Sequence, residues 1–467
     1  MNDKKKTIFL TIDRGMVARN ILLNEFFTKL KEKYDIVIFS PLSDDQDFIN
    51  KFKSSGVFFE KLIRHKMTKM ENIFYALHKG LIYNPTVRLK TRYSVDFKNT
   101  QEENFKKLFK YYFQHIVFGM FLSKIRILRE WLKKTDALIY NKNYYQELLD
   151  RYKPVAVFIT NISSDDEIYL LRAAKKNKIL DFGMTKSWDN FSKVGFREKT
   201  NNLIVWNEYM RDEAIWFQCY KGKQIYILGV PQFDIYYDIK GKNTREEFAK
   251  TYDLDVNKKL ILFGQEAPTA SPDDPYVVEI IKNWIIKNNK NWQILVRPNF
   301  SYKKAASHFE HSIDNKIVFM DLQNKPSRFK DEWDMSFEHL WRLAMSMRFP
   351  DIVVTSTSTL ALDALASDNK VICYSFDKDK NKPFGKSIKR LYGTMWFRDL
   401  RKYGLDEIIA NDEYELINMI EAAIEGGEQK FNGRNKIIKR FCGPLDGKSG
   451  LRIFEFMNGK IQKIVVL

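Results

Sequence analysis

Five hydroxyl residues in a row, Thr355, Ser356, Thr357, Ser358 and Thr359, follow an apolar run at 352–354 and precede the helix-forming Leu-Ala-Leu-Asp-Ala-Leu-Ala of 360–366. A helix start leaves backbone N–H groups without intrahelical acceptors, and hydroxyl side chains add further donors. The pattern therefore suits an anion, and a diphosphate fits it. A plain N-cap needs one Ser or Thr and not five. Asp363 falls one turn into the helix, where a carboxylate can accept hydrogen bonds from ribose or sugar hydroxyls. Two other apolar runs end in candidates for the same ligand. Arg297 and Asn299 follow 293–296, and Gly264, Gln265 and Glu266 follow 260–263. Arginine is a natural phosphate partner, and glycine lets backbone approach a ligand closely.

The first half of the chain offers a second set. Asp13, Arg14 and Gly15 follow an apolar strand at 7–12, Thr160 and Asn161 follow another at 155–160, and Ser187-Trp188-Asp189-Asn190 forms a third cluster. Transfer of a group to a hydroxyl requires a base facing the donor's reactive atom, and a carboxylate from the opposite half is the simple solution. Asp13 and Asp189 are the two candidates; Arg14, Gly15, Thr160, Asn161, Trp188 and Asn190 are expected around an acceptor. No metal is expected: the adjacent pairs Asp44-Asp45 and Asp273-Asp274 read as turns, and the histidines lack ligand spacing. No cofactor is implied.

These residues need parallel sheets to hold them. Continuous apolar runs at 7–12, 36–39, 155–160, 203–206 and 225–228 alternate with helical patterns, one of them at 18–33. After a polar stretch at 238–245 the rhythm resumes with runs at 260–263, 293–296, 317–320, 352–354 and 371–374. The expectation is an α/β protein of two doubly wound domains, with ligands at the carboxyl ends of the strands. Between about 65 and 149 the strand rhythm gives way to basic, aromatic helical sequence. Residues 88–134 hold 12 Lys or Arg against 4 Asp or Glu. That stretch reads as a helical insertion, able to rest on anionic lipid without crossing it.

Composition sets the outer bounds. A chain of 467 residues, 44% hydrophobic and 15% aromatic, exceeds one core and excludes wholesale disorder. Net charge is +19, but no nucleic-acid motif accompanies it, so no nucleic-acid partner is expected. Three widely spaced cysteines give no disulfide framework, and no apolar leader precedes the first strand. A cytoplasmic protein, able to work at the inner face of the cell membrane, is the expectation.

The passage 355–366, with Val-Ile-Cys-Tyr at 371–374, resembles the donor-binding strand, loop and helix of GT-B-type glycosyltransferases. Lys186-Ser-Trp-Asp-Asn190, Val205-Trp-Asn-Glu-Tyr-Met210 and Gly229-Val-Pro-Gln-Phe-Asp234 look like bacterial surface-carbohydrate transferases. Asp446-Gly-Lys-Ser449 is similar to the terminal motif of the glycerophosphotransferases of teichoic acid synthesis. The resemblance implies two Rossmann-like domains facing across a cleft, an acceptor domain at 1–237 with the basic insertion at about 65–149, and a donor-nucleotide domain at 238–440. It also implies a segment, 441–467, that crosses back. One departure matters: the glycerophosphotransferases place His after the Arg-Pro pair, where this chain has Asn299. The resulting reading is a metal-independent glycosyltransferase moving a sugar from a nucleotide-activated donor to a glycan or lipid-linked acceptor in cell-surface polysaccharide synthesis. A CDP-polyol phosphotransferase, a nucleotide-sugar epimerase and a non-enzymatic peripheral membrane scaffold are the alternatives.

Overall fold

The computed structural model describes residues 5–93, 109, 112–139, 143–300, 305–322, 326–356, 358–427 and 429–465. Two wholly parallel sheets organise them. The first lobe is built on β1 (Thr7–Thr11), β2 (Asp35–Ser40), β3 (Val57–Lys61), β4 (Ala156–Ile159), β5 (Leu180–Gly183), β6 (Asn202–Val205) and β7 (Ile225–Ile227), in the order β3-β2-β1-β4-β5-β6-β7. The second is built on β8 (Lys259–Gly264), β9 (Trp292–Arg297), β10 (Val318–Met320), β11 (Ile352–Thr355), β12 (Val371–Tyr374) and β13 (Ile409–Ala410), in the order β10-β9-β8-β11-β12-β13. Helices cover both faces, so the central strands are apolar on both sides: Ile8, Phe9 and Leu10 are fully buried, as are Ile261, Leu262 and Phe263. In each sheet the order reverses beside the first strand, between β1 and β4 and between β8 and β11. That is where an open α/β sheet leaves a crevice at its carboxyl edge.

Three strands lie outside the runs expected from sequence, and each has a local reason. β5 contains Asp181, whose carboxylate accepts from the Asn201 amide and side chain, so its polarity disguises a buried strand. β3 is an edge strand with partly exposed side chains, and β13 has two residues. The helical pattern at 18–33 divides into Gly15–Leu22 and Glu25–Lys33. Asn24 is the cause: it accepts from Phe26 N at 2.9 Å and donates to Asn20 O at 2.6 Å, starting a new helix where the old one ends.

The lobes are joined twice. The chain passes from the helix Asp234–Asp238 to the helix Arg245–Thr251, which a Thr244/Glu247 capping box opens. It then returns near residue 445, and its last helix, Ser449–Val465, packs on Glu25–Lys33 of the first lobe. Asp234 receives the first amides of that helix, Ser449 N at 3.0 Å and Gly450 N at 2.8 Å, and Tyr34 donates to Asn458 at 2.8 Å. A strap from the second lobe, 326–335, also reaches across. Phe329 buries itself against Phe48, Arg328 pairs with Asp45 at 2.9 Å, and Asp331 accepts from Gly15 N at 2.9 Å and Met16 N at 3.1 Å.

Candidate functional site

A cavity of about 400 Å³ lies between the lobes, walled by the carboxyl ends of the strands of both sheets. From the first lobe come Arg19, Lys186, Trp188, Asp189, Lys193 and Gln232. From the second come Gln265, Glu266, Arg297, Asn299, Ser358, Thr359 and Asp363, with Phe300, Trp333 and Trp396 as aromatic walls. Of the residues expected around a donor, Gln265, Arg297, Asn299, Ser358, Thr359 and Asp363 are thus brought together.

The remaining donor candidates are placed differently. Gly264 lies behind the wall: a Cβ there would collide with the Leu360 side chain, so glycine permits the helix Leu360–Ala366 to close on β8. Thr355 is buried and donates to Gly264 O at 2.8 Å, and Ser356 is buried beneath the cavity. Thr357 lies outside the described residues. The hydroxyl run therefore divides into a buried half that supports the loop and an outer half that faces the cleft. Ser358 Oγ accepts from Leu360 N at 3.3 Å, and Thr359 is exposed.

Three buried donors point to what the cavity binds. Arg19 spends Nη2 on Gln232 at 2.8 Å and Nε on Asn20 at 3.2 Å, with its guanidinium stacked 4.6 Å from the Trp333 ring. Its Nη1 meets no acceptor among the described residues. Arg297 pairs through Nη1 with Asp321, which Arg342 also grips, and its Nη2 meets no acceptor among the described residues. Gln265 accepts from Asn299 N at 3.1 Å, and its Nε2 is unmet among the described residues. A buried donor without a partner costs roughly 1–3 kcal/mol, more when charged, and three on the residues of one cavity are chemically suited to an anion. Burial pushes the Arg19 guanidinium down to about 10, against the pull of Asp363, which leaves it charged at neutral pH. His339, packed on Phe300 and Trp333, is driven well down by burial and by Arg297, Arg19 and Arg342, so it is neutral.

The carboxylates differ among themselves. Burial lifts Asp363 to about 6, although Tyr236 and Gln232 of the first lobe both donate to it and Arg19 and Arg297 favour its charge. Burial also raises Glu266. Burial pushes Asp189 up, but its paired Lys193, with Lys90 and the Ser187 hydroxyl, together hold it below its ordinary value. Trp188 stands in the wall with its indole N–H donated to Phe441 O at 2.9 Å, and Asn190 turns away to accept from Ser187 N at 3.1 Å.

The candidates at the end of β1 form a separate cluster beside the cavity. Asn161 and Arg14 both donate to Asp13, at 2.8 and 3.0 Å. Thr160 bonds Thr11 O, while Glu167 receives Thr11 Oγ1 and Asn161 N. Burial, and then Asp13, pushes Glu167 up to about 8. Asp13 Oδ1 and Glu167 Oε1 meet no donor among the described residues. Gly15 lies under the strap, its amide on Asp331.

Sequence reasoning missed Arg19, Gln232, Tyr236, Lys193 and Trp333. Arg19 sits inside a helical pattern, where a surface arginine is the default reading, and Trp333 belongs to a loop without pattern. The Gly229–Asp234 motif was the one signal that pointed near Gln232.

Residues 178–458, more than half of the chain, match the model of the family described as CDP-Glycerol:Poly(glycerophosphate) glycerophosphotransferase. No curated protein matches the sequence. Among solved structures, UDP-GlcNAc 2-epimerase from Methanocaldococcus jannaschii is similar with a TM-score of 0.53 at 12% identity, over 97% of this chain and 99% of that one. The S. aureus MnaA–UDP structure gives 0.52 at 10% identity, over 98% and 97%. The wall teichoic acid polymerase TagF, solved with CDPG, gives 0.51 at 13%, over 99% and 90%. At such identities the likeness is one of fold, two Rossmann-like lobes of GT-B type.

Proposed function

Because the chain belongs to the CDP-glycerol:poly(glycerophosphate) glycerophosphotransferase family, a group of nucleotide-activated transferases of cell-wall polymer synthesis, we propose that the cavity between its lobes holds the diphosphate of a nucleotide-activated donor. The transferred unit is a sugar, and it passes to a glycan or lipid-linked acceptor entering from the first lobe. That Arg19, Arg297 and Gln265 all line this cavity, each with a buried donor unmet among the described residues, carries the reading. Guanidiniums contributed by both lobes can gather negative charge as the diphosphate departs. Ser358 and Thr359 add donors beside them, and Asp363 takes a hydroxyl of the donor.

Asp189 and Asp13 are the proposed bases. Asp189 lines the cavity as an ionised carboxylate steadied by Lys193, and Asp13 is buried at the end of β1 with Oδ1 unmet among the described residues. No histidine lines the cavity among the described residues, and Asn299 stands after the Arg-Pro pair, which is why the sugar reading is put first. The family match favours a second reading, transfer of a polyol phosphate from a CDP-linked donor through the same diphosphate site. The reaction is placed in the cytoplasm, at the inner face of the membrane.

Incubating the purified protein with nucleotide sugars and CDP-polyols, and following nucleotide release with and without acceptor, separates these readings. Acceptor-dependent release from a nucleotide sugar supports the first, and release from a CDP-polyol alone supports the second. Isomerisation of a nucleotide sugar without any acceptor would convert the assignment to an epimerase. Binding of no nucleotide would end it.

A further inference from the structure

The cavity between the lobes has two ends. Arg19 and Arg297, each with an unmet donor, follow β1 and β9. At the other end stand Trp188, Asp189 and Lys193, which follow β5, and Trp396 and Phe397, which follow β12. In the sheet orders β4 separates β5 from β1, and β8 and β11 separate β12 from β9. Glu266, after β8, lines the cavity from the middle of the second sheet. Two hydrogen bonds fix the part that follows β12. Tyr392 donates to Tyr374 O at 2.8 Å, and Thr86 of the first lobe accepts from Met395 N at 2.8 Å, where the helix Met395–Lys402 begins.

Trp396 is 5% exposed, with its ring centroid 5.0 Å from Tyr209, 5.2 Å from Phe441 and 6.0 Å from Trp188. It lines the cavity, and its indole N–H meets no acceptor among the described residues, whereas Trp188 spends its own on Phe441 O. An indole N–H only donates, so the partner it lacks is an acceptor. The carboxylates of this end need donors instead. Glu266 accepts the Ala267 amide at 2.8 Å and has lone pairs to spare, and Asp189 holds Lys193. Lys186, the other lysine of the lining, lies among Arg14, Asp13 and Asp189. A phosphate can only accept, and here it would meet two carboxylates. A hydroxyl donates to a carboxylate and accepts from an indole, and aromatic walls take the apolar C–H face of a ring.

We infer that this end of the cavity is a subsite for a neutral sugar ring, held against Trp188, Trp396 and Phe397, with hydroxyls that accept from the Trp396 N–H and donate to Glu266. The inference rests on the reading of the opposite end as the diphosphate site, and it narrows the ligand from any activated unit to a ring. The ring belongs to the transferred unit or to the acceptor glycan, which offer the same apolar face and hydroxyls. An acyclic polyol has the hydroxyls and lacks the face.

Calorimetry on the full chain tests it. UDP and CDP are titrated first, then UDP-glucose, UDP-N-acetylglucosamine and CDP-glycerol, and last maltose and cellobiose, into the free and the nucleotide-saturated chain. A nucleotide sugar that binds roughly tenfold more tightly than its nucleotide assigns the ring to the transferred unit; a disaccharide that binds the nucleotide-saturated chain assigns it to the acceptor. Trp396→Phe keeps a ring and removes the N–H, and Glu266→Gln alters a partly exposed residue outside the apolar cores. Each is expected to cut the sugar's gain about tenfold and to bind UDP and CDP as the wild type does. No gain from any sugar, an unchanged gain in both variants, or an equal gain from CDP-glycerol would overturn the inference. So would a matching loss of nucleotide affinity in the variants, since the two ends would then be one site. If the wild type binds no nucleotide, the diphosphate reading fails instead, and the disaccharide titrations of the free chain still decide the subsite.

Discussion

The crevices at the two sheet reversals share a topology and differ in what they leave unmet. Among the described residues, the unsatisfied buried atoms beside β1 and β4 include the carboxyl oxygens Asp13 Oδ1 and Glu167 Oε1; beside β8 and β11 they include the donors Arg297 Nη2 and Gln265 Nε2 and the hydroxyl of Ser356, with Arg19 Nη1 added from across the cleft. Topology supplies a crevice in both cases. The side chains decide whether it suits a hydroxyl, which can donate to a carboxylate, or a phosphate, which can only accept. The division parallels the proposed acceptor and donor sides, and it can be attacked from either.

The largest effect is expected at the donors. Arg297→Ala and Arg19→Ala should each weaken nucleotide binding on the order of a hundredfold, measured by calorimetry, since each removes a charge-assisted hydrogen bond. Wild-type affinity in both would dissolve the contrast. On the other side, Asp13→Asn should leave nucleotide affinity intact while lowering acceptor-dependent turnover, by about a hundredfold if Asp13 is the base; unchanged turnover leaves Asp189 as the candidate.

The acidic cluster also has a pH signature. Glu167 is raised from 4.5 to about 8 by burial and by Asp13, so the folded protein binds a proton there that the unfolded chain releases. Stability from this group is full below about pH 4.5 and is lost as pH rises through 8. The melting temperature should therefore decline more steeply between pH 5 and 9 in the wild type than in Glu167→Gln; parallel profiles would assign the cluster a different charge state. A smaller loss, about 1 kcal/mol in urea unfolding, is expected for Asp331→Ala, which strips the carboxylate from the Gly15 and Met16 amides. Smallest of all, Thr359→Ala should change nucleotide affinity by no more than about threefold, because its hydroxyl is exposed.

Much of the scaffold could be read from residue patterns because parallel strands buried on both faces are written as unbroken apolar runs, as at 260–263 and 371–374. Where a strand carries a buried carboxylate, as β5 does with Asp181, or shrinks to two residues, as β13 does, the signal vanishes. The candidate site divides the same way. Arg297, Gln265 and Asp363 follow strand ends or helix starts and could be named from sequence. The positions of Arg19, Gln232 and Tyr236 depend on two lobes meeting, which no local pattern encodes. The hydroxyl run was legible as a feature, but only packing determines that Thr355 and Ser356 turn inward while Ser358 and Thr359 face the cleft.

The helix Ser449–Val465 has a consequence for how the protein emerges from a ribosome. It buries Ile453, Met457 and Ile461 against an earlier helix of the first lobe, after every strand of the second lobe has been made. The second lobe can thus complete its sheet while the first still waits for its final layer. A nascent chain halted before residue 449 would carry one finished half and one with an open apolar flank, which makes that stretch of translation the point of greatest exposure to chaperones and proteases.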